Sequence, residues 1–151
     1  MIYTHCDSPV GTLLLARNEE GLTAISFDGA PDSSWGYDAG AFGDVREQLR
    51  AYFAKELRAF DLPLAPRGTP FQLAVWRALR EIPYGETRSY TQVANAVGRP
   101  SAVRAVGAAN GANPLPIVVP CHRVIGANGS LTGFGGGLTA KRFLLDLELY
   151  V

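Results

Sequence analysis

Cysteine is scarce in this sequence: two residues in 151, Cys6 and Cys121, stand far apart. A small secreted domain that depends on disulfides would use more. The pairs His5-Cys6 and Cys121-His122 supply zinc-ligand types, but adjacent ligands are a poor zinc spacing. We therefore expect reduced thiols and no bound metal.

Long apolar runs are also missing. No window approaches the roughly 18 apolar residues of a membrane span, and the start, MIYTHCDSPVG, lacks the pattern of a secretory signal. We expect a cytoplasmic protein without membrane contact, and nothing in the sequence indicates an oligomer, so we expect a monomer. With 47% hydrophobic residues, the chain can bury one substantial core or two small ones.

An excess of one charge is absent overall, because 14 Lys/Arg balance 14 Asp/Glu. Residues 1–66 carry five basic residues against ten carboxylates, a net charge of −5, and residues 67–151 carry nine against four, a net charge of +5. A chance distribution of surface charges would give the same difference in net charge between the two halves. The second half is nevertheless the half suited to a polyanion, since its basic residues lie beside the motifs described below.

The first half predicts a small α/β domain, residues 1–66. Apolar runs at residues 2–5, 12–16 and 22–27 are separated by turn residues, which indicates an antiparallel meander. One helix is predicted to cover it, from apolar residues at helical spacing: Val45, Leu49, Tyr52, Phe53 and Leu57. A proline-rich linker is predicted at residues 62–68.

The second half, residues 67–151, predicts helices. Thr69-Pro70 is a favourable helix start, and the helix ends before Pro83. A capping box at residues 89–92 opens a short helix that ends near Gly98. Pro100-Ser101 begins another, which carries Arg104. Two short helices with a tight connection are typical of a helix-turn-helix, although ordinary helical hairpins look the same. A glycine-rich stretch, residues 126–137, and a terminal helix follow.

Cys121 follows a stiff segment. The three prolines within residues 113–120 exclude a continuous helix, and Ile117, Val118 and Val119 are expected to be buried. A lone cysteine is usually a small buried hydrophobe. The adjacent imidazole and guanidinium of His122 and Arg123 favour thiolate, the nucleophilic form, so Cys121 is the candidate nucleophile. Cys6 has no comparable setting.

His122 is expected to reach the thiol indirectly. Neighbouring side chains on an extended segment point to opposite faces, so a bridging water would join them. The imidazole then needs a carboxylate on its other nitrogen. Downstream of Cys121 only Asp146 and Glu148 are available, and the residues alone do not choose between them.

A set of motifs spans residues 69–149: residues 113–125 (NPLPIVVPCHRVI) with Phe71-Gln72, Val75-Trp76, residues 82–87 (IPYGET), Ser89-Tyr90, residues 104–107 (RAVG) and Leu144-Leu145 ahead of Glu148. In these motifs the second half densely resembles the O6-alkylguanine-DNA alkyltransferases. The resemblance implies an α/β protein: a small N-terminal ribonuclease-H-like domain and a mostly helical C-terminal domain with a winged-helix-like helix-turn-helix.

The resemblance also implies a reaction. The alkyl group of O6-alkylguanine, and of O4-alkylthymine, in double-stranded DNA would pass irreversibly to Cys121 in a single turnover, after minor-groove binding and base flipping. His122, Glu148 and a water would activate the thiol, Asn113 would order the turn that carries it, and Tyr90 would crowd the target phosphate and protonate guanine N3. The thiol itself receives the group, so no cofactor is expected.

For the nucleic acid, the resemblance implies an arginine finger, Arg104, on a helix whose small side chains permit close approach to the minor groove. The predicted DNA contacts are Arg104, Tyr90, Val103, Ala105 and Arg123, and Ala109 is a further small residue of that helix. The predicted substrate contacts are the carbonyls of Cys121 and Val124 toward the guanine amino group, the amide of Gly135 near O6, Phe134 and Lys141.

Phe134 departs from the family pattern, which often has tyrosine there. The wall at residues 132–137 either admits bulkier adducts or is only a flexible loop. Two other functions use some of the same residues: a Cys-His thiol hydrolase, which needs neither Arg104 nor the helix-turn-helix, and a non-catalytic lesion-binding DNA module, which needs no acceptor thiol.

Overall fold

The computed structural model describes residues 1–149. The described chain forms two compact units, one from Met1 to Arg67 and a second that begins at Gly68. The first unit is built on a sheet and the second is mostly helical. The predicted α/β class is confirmed. No helix within residues 1–149 combines the length and apolar character needed to cross a membrane.

The sheet of the first unit contains the predicted meander. Strands β1 (Ile2–Ser8), β2 (Gly11–Arg17) and β3 (Leu22–Phe27) pair antiparallel in sequence order. A fourth strand, β4 (Gly36–Tyr37), pairs parallel with β1 and gives the order β3-β2-β1-β4. The sequence did not predict β4, because two residues inside a Gly/Ser/Asp/Pro-rich connector carry no periodicity.

Helix α1 (Gly43–Phe53) follows a short 3-10 helix and turns Val45, Leu49 and Tyr52 into the core. The helix is shorter than the apolar spacing predicted. The chain turns at Lys55, which has a φ of +62°, so Leu57 lies beyond the helix. Burial of the three apolar side chains stabilises the helix on the sheet by roughly 1.5–3 kcal/mol for each aliphatic residue.

Part of the predicted linker is held on the first unit. The Leu22 amide donates to the Pro63 carbonyl at 2.9 Å, and the Ala65 amide donates to the Leu22 carbonyl at 2.8 Å. Leu62 is buried. The two hydrogen bonds extend the sheet beyond β3, so this stretch is ordered up to Ala65.

Up to residue 149, the second unit contains four α-helices: α2 (Pro70–Arg80), α3 (Tyr90–Ala96), α4 (Val103–Gly111) and α5 (Leu138–Leu149). The predicted starts of α2 and α3 are confirmed by complete capping boxes, Thr69 with Gln72 and Ser89 with Gln92. Such caps contribute about 1 kcal/mol each.

Helix α4 begins two residues later than its Pro100-Ser101 signal predicted. Ser101 makes no cap; instead the Ala102 amide donates to the Arg99 carbonyl and closes a turn ahead of the helix. Helices α3 and α4 contact each other and α2, which places them as a helix-turn-helix. The Trp76 indole on α2 donates to the Ala109 carbonyl at 2.8 Å and fixes α4 against its support.

The segment before Cys121 is buried as predicted, with Leu115, Ile117, Val118 and Val119 in the core. Ile117 has a φ of +76°, a conformation that costs a β-branched residue about 1–3 kcal/mol. The surrounding core therefore holds this segment in one conformation. Strand β5 (Arg88–Ser89), ahead of α3, pairs parallel with β6 (Val124–Ile125), which follows Cys121 in the chain. This two-stranded sheet was not predicted.

The terminal helix α5 is confirmed, but its buried face is not purely apolar. Leu138 and Phe143 are 52% and 38% exposed, whereas Lys141 and Glu148 point inward beside Leu144 and Leu145. Two buried charged groups on one helix face require partners, because an unpaired charge in the core costs several kcal/mol.

Candidate active site

Cys121 opens a 3-10 turn, Cys121–Arg123, directly after the buried proline-bounded segment. The sequence predicted an extended segment here. The Cys121 amide instead donates to the Val119 carbonyl, and the Arg123 amide donates to the Pro120 carbonyl, which coils the chain. The turn buries all three consecutive side chains, so the thiol, the imidazole and the guanidinium belong to one interior cluster.

His122 is fully buried, and its Nε2 lies 2.6 Å from Oε2 of Glu148 on α5. Asp146, the other candidate, is exposed. A helix presents residues two positions apart on different faces, so only one of the two carboxylates can face the core. The structure places Glu148 there.

Arg123 does not lie on the surface, which corrects its predicted contact with DNA. Its Nε and Nη2 donate to the two carboxylate oxygens of Glu148 at 2.7 and 3.1 Å, and its Nη1 donates to the Ile82 carbonyl at 2.7 Å. The guanidinium also lies 5.6 Å from the centre of the Tyr84 ring. A bidentate buried pair of this kind keeps the carboxylate ionised and fixes its orientation.

Burial lowers the pKa of His122, against the opposing effect of the Glu148 carboxylate. The imidazole is therefore neutral at pH 7. Because the Glu148 carboxylate accepts from Nε2, the proton resides there and Nδ1 keeps its lone pair. Nδ1 is buried and has no hydrogen-bond partner among the described residues. His122, adjacent to Cys121 in the sequence, therefore keeps one basic nitrogen inside the core.

Burial raises the pKa of the Cys121 thiol to about 11, against lowering contributions from Asn113 and the Lys141 charge. The sequence favoured thiolate because two basic residues follow the cysteine. The structure differs: burial outweighs the neighbouring charges, His122 is neutral, and the Arg123 charge is taken by Glu148. The resting form is the thiol.

Lys141 is enclosed, and its ammonium joins two segments. Nζ donates to the Val124 carbonyl on β6 and to the Thr132 carbonyl in the glycine-rich stretch, each at 2.7 Å. Burial lowers its pKa, and the negative charge that Cys121 carries as a thiolate acts in the opposite direction. The ammonium therefore ties β6 to the glycine-rich stretch.

Asn113 closes the turn ahead of the buried segment that leads to Cys121. Its Nδ2 donates to the Val119 carbonyl at 2.8 Å, and its Oδ1 accepts from the Leu115 amide at 3.0 Å. Asn110, which was not predicted as a site residue, is also buried, and its Nδ2 lies 3.4 Å from the Cys121 carbonyl. The pattern that could have found Asn110 is its position one helical turn after the apolar residue Val106, which places its amide on the inward face of α4.

Tyr90 begins α3, and its hydroxyl lies 2.8 Å from Oγ1 of Thr132. It is half-buried, as is Phe134, while Gly135 is exposed. The contact brings the predicted proton donor to the same glycine-rich stretch that carries the predicted substrate contacts.

On α4, Arg104 and Ala105 are exposed and Val103 is half-buried, which leaves them available to a groove. Ala109, another small residue of this helix, is buried, and its carbonyl faces α2. Within residues 1–149, no three His, Cys, Asp or Glu side chains are grouped so as to hold a metal ion.

Two family profiles match the chain. One, described as the DNA binding domain of 6-O-methylguanine DNA methyltransferase, matches residues 70–150, and the other, described as the ribonuclease-like domain of the same protein, matches residues 1–66. Together they span nearly the whole sequence.

Individual proteins agree. The chain is 54% identical to the methylated-DNA–protein-cysteine methyltransferase of Methanosarcina acetivorans, covering 98% of each chain, and 54% identical to that of Mycobacterium tuberculosis, covering 97% of this chain and 91% of the other. It superposes on the crystal structure of Mycobacterium tuberculosis OGT in complex with DNA with a TM-score of 0.94 at 53% identity, covering 99% of this chain and 93% of the other.

Proposed function

This chain belongs to the 6-O-methylguanine DNA methyltransferase family and repairs DNA by transferring an alkyl group to a cysteine, and we propose that the acceptor is Cys121. The observation that carries the proposal is the buried His122–Glu148–Arg123 cluster adjoining this thiol. Cys6 lies on β1, partly exposed, and its thiol faces the Asp7 carbonyl.

Activation of the thiol follows from the state of His122. Nδ1 accepts the Cys121 proton through a bridging water, and Glu148 stabilises the imidazolium that results. A neutral resting thiol is unreactive toward most electrophiles. The relay therefore produces thiolate when an alkylated base is presented to it.

Transfer is a displacement at the alkyl carbon. The bond from Cys121 Sγ to that carbon forms as the bond from the carbon to guanine O6 breaks. Guanine anion is a poor leaving group, so Tyr90 donates its hydroxyl proton to guanine N3 and the base departs neutral. The Val124 carbonyl, the Gly135 amide, Phe134 and Lys141 form the surrounding pocket.

The target base lies inside the duplex, so it must be extruded before it reaches a buried thiol. Helices α3 and α4 approach the minor groove, with Val103 and Ala105 near the backbone and Arg104 filling the space that the flipped nucleotide leaves. O6-alkylguanine and O4-alkylthymine are the substrates. The protein acts as a monomer, since no step requires a second copy.

The product thioether lacks the electrophilic carbonyl through which water regenerates an acyl-enzyme. Each molecule therefore acts once. A Cys-His hydrolase would use the same Cys121 and His122 but would turn over, and a lesion-binding module would not need the thiol.

A duplex carrying radiolabelled O6-methylguanine tests the proposal. Label should move to the protein up to one equivalent, and mass spectrometry should find one methyl group, on Cys121. Cys121→Ala should bind the duplex without taking label, and the matched variant Cys6→Ala should transfer normally. Turnover beyond one equivalent, or methyl on Cys6, would refute the assignment.

A further inference from the structure

Thr132, in the glycine-rich stretch, is a hydrogen-bonding centre that the mechanism above does not use. Its carbonyl accepts from Nζ of Lys141 at 2.7 Å, and its hydroxyl oxygen lies 2.8 Å from the hydroxyl oxygen of Tyr90. The same ammonium donates to the Val124 carbonyl on β6, three residues after Cys121. Because Lys141 is fully buried, the core holds this anchor in place. Thr132 itself is exposed, yet its backbone is fixed relative to the strand that follows Cys121.

A second helix limits the position of the Tyr90 ring. Tyr90 is the first residue of α3, and a Cβ atom added at Gly107 of α4 would lie 3.9 Å from its Cδ1, so the ring lies close to the backbone of α4. The Tyr90 hydroxyl donates to the Thr132 carbonyl only over a long distance, 3.4 Å. The short contact joins the two hydroxyl groups, and either of them can be the donor.

This reversible contact matters for a residue that gives a proton away. Each hydroxyl has one proton to donate and lone pairs to accept. When Tyr90 gives its proton to guanine N3, its oxygen gains negative charge and can only accept. The Thr132 hydroxyl is then the donor of the short contact. A hydrogen bond to an ionised oxygen is about twice as strong as one between neutral groups, so the contact stabilises the transition state more than the resting protein.

Resting on the proposed function, we propose that Thr132 is a positioning residue for alkyl transfer: its hydroxyl donates to the Tyr90 oxygen as the Tyr90 proton moves to guanine N3. The bond from sulfur to the alkyl carbon forms, the bond from that carbon to O6 breaks with its electron pair passing to the base, and neutral guanine leaves. The negative charge rests on the Tyr90 oxygen, which recovers a proton from solvent, and Thr132 keeps its own proton. A fixed donor needs no reorganisation during the reaction, unlike a water molecule.

Thr132→Val tests this role, because it removes the hydroxyl but keeps the shape of the side chain and the carbonyl that Lys141 holds. In Cys6→Ser protein, single-turnover methyl transfer from an O6-methylguanine duplex should slow at least about tenfold, the effect of one hydrogen bond to a charged group. Thr132→Ser keeps the hydroxyl and should recover most of the rate. Thr139→Val, at an exposed threonine of α5, is the matched control and should transfer methyl normally.

Two further measurements separate an effect on Tyr90 from general support of the glycine-rich stretch. Iodoacetamide alkylates Cys121 with loss of iodide, a leaving group that needs no proton from Tyr90, so Thr132→Val should not change the rate of that reaction. When Tyr90→Phe is already present, Thr132→Val should slow methyl transfer no further, because the hydroxyl that it assists is gone.

Four results would overturn the role of Thr132 and leave the proposed function standing. They are full activity of Thr132→Val, equal slowing of Thr132→Ser, slowing of the iodoacetamide reaction to the same extent as methyl transfer, and losses that multiply when Thr132→Val is combined with Tyr90→Phe. Absence of methyl on Cys121 in the protein without these substitutions, or an undiminished rate of methyl transfer in Tyr90→Phe, would instead overturn the proposed function.

Discussion

Glu148 accepts hydrogen bonds from both residues that follow the candidate acceptor: Oε2 lies 2.6 Å from Nε2 of His122, and Oε1 lies 2.7 Å from Nε of Arg123. One carboxylate therefore sets the tautomer of the imidazole and neutralises the buried guanidinium. Its removal has two separable consequences, one for the reaction and one for stability.

Glu148→Gln should slow methyl transfer by at least about 100-fold, because the imidazolium formed at His122 loses its counter-charge. It should also lower the free energy of unfolding by about 3–5 kcal/mol, because Arg123 stays buried without an anion. Single-turnover rates and urea unfolding measure the two effects. Asp146→Asn, two residues earlier and exposed, is the matched control and should change neither. Similar behaviour of the two variants would mean that Glu148 is not part of the relay.

The thiol of Cys121 should lose its proton at a higher pH than an ordinary cysteine. Its pKa is raised to about 11 from an ordinary value of 9.0, so in the absence of DNA its alkylation by iodoacetamide should keep rising between pH 9 and pH 11. The Cys6→Ser background isolates this thiol, and the unfolded protein supplies the ordinary titration. The folded state holds more protons than the unfolded state in this interval, so stability should fall as pH rises through it. A rate that levels off below pH 9 would show that the free protein holds thiolate.

Arg104→Ala should separate base extrusion from chemistry. Repair of O6-methylguanine in duplex DNA should slow about 10- to 100-fold, since a few kcal/mol of unstacking is no longer offset. Reaction with free O6-benzylguanine needs no extrusion and should keep its rate. Arg80→Ala, at another exposed arginine of the same unit, should leave both rates close to wild type. Equal losses on both substrates would assign Arg104 to the pocket or the fold.

Affinity for undamaged duplexes should depend on salt and not on sequence. Among the described residues, the exposed arginines of the second unit are Arg77, Arg80, Arg99, Arg104 and Arg142. If about three phosphates are contacted, the association constant should fall about 40-fold between 50 and 200 mM salt. Minor-groove readout is degenerate, so different sequences should bind alike. Fluorescence anisotropy measures both; a flat salt profile or strong sequence preference would contradict a backbone-directed interface.

The local elements were predictable because their signals lie within a few residues. The capping boxes at Thr69 and Ser89, the meander and the buried segment before Cys121 all appear where the pattern placed them. Errors arose where signals were short or ambiguous. Strand β4 has two residues, and Ser101 has the side chain of a cap but lies outside the helix it was expected to start.

By itself the sequence determined the candidate nucleophile, since Pro120, Cys121, His122 and Arg123 are consecutive, and it limited the acid partner to two carboxylates. Only the tertiary structure placed Glu148, and not Asp146, against His122, because that depends on which face α5 turns inward. It also moved Arg123 from the expected DNA surface into the core and raised the pKa of the Cys121 thiol, where neighbouring charge alone favoured thiolate. The charge states of these side chains, and the partners they bind, depend on burial and on contacts between residues about 25 positions apart. Neither can be derived from the order of neighbouring residues in the sequence.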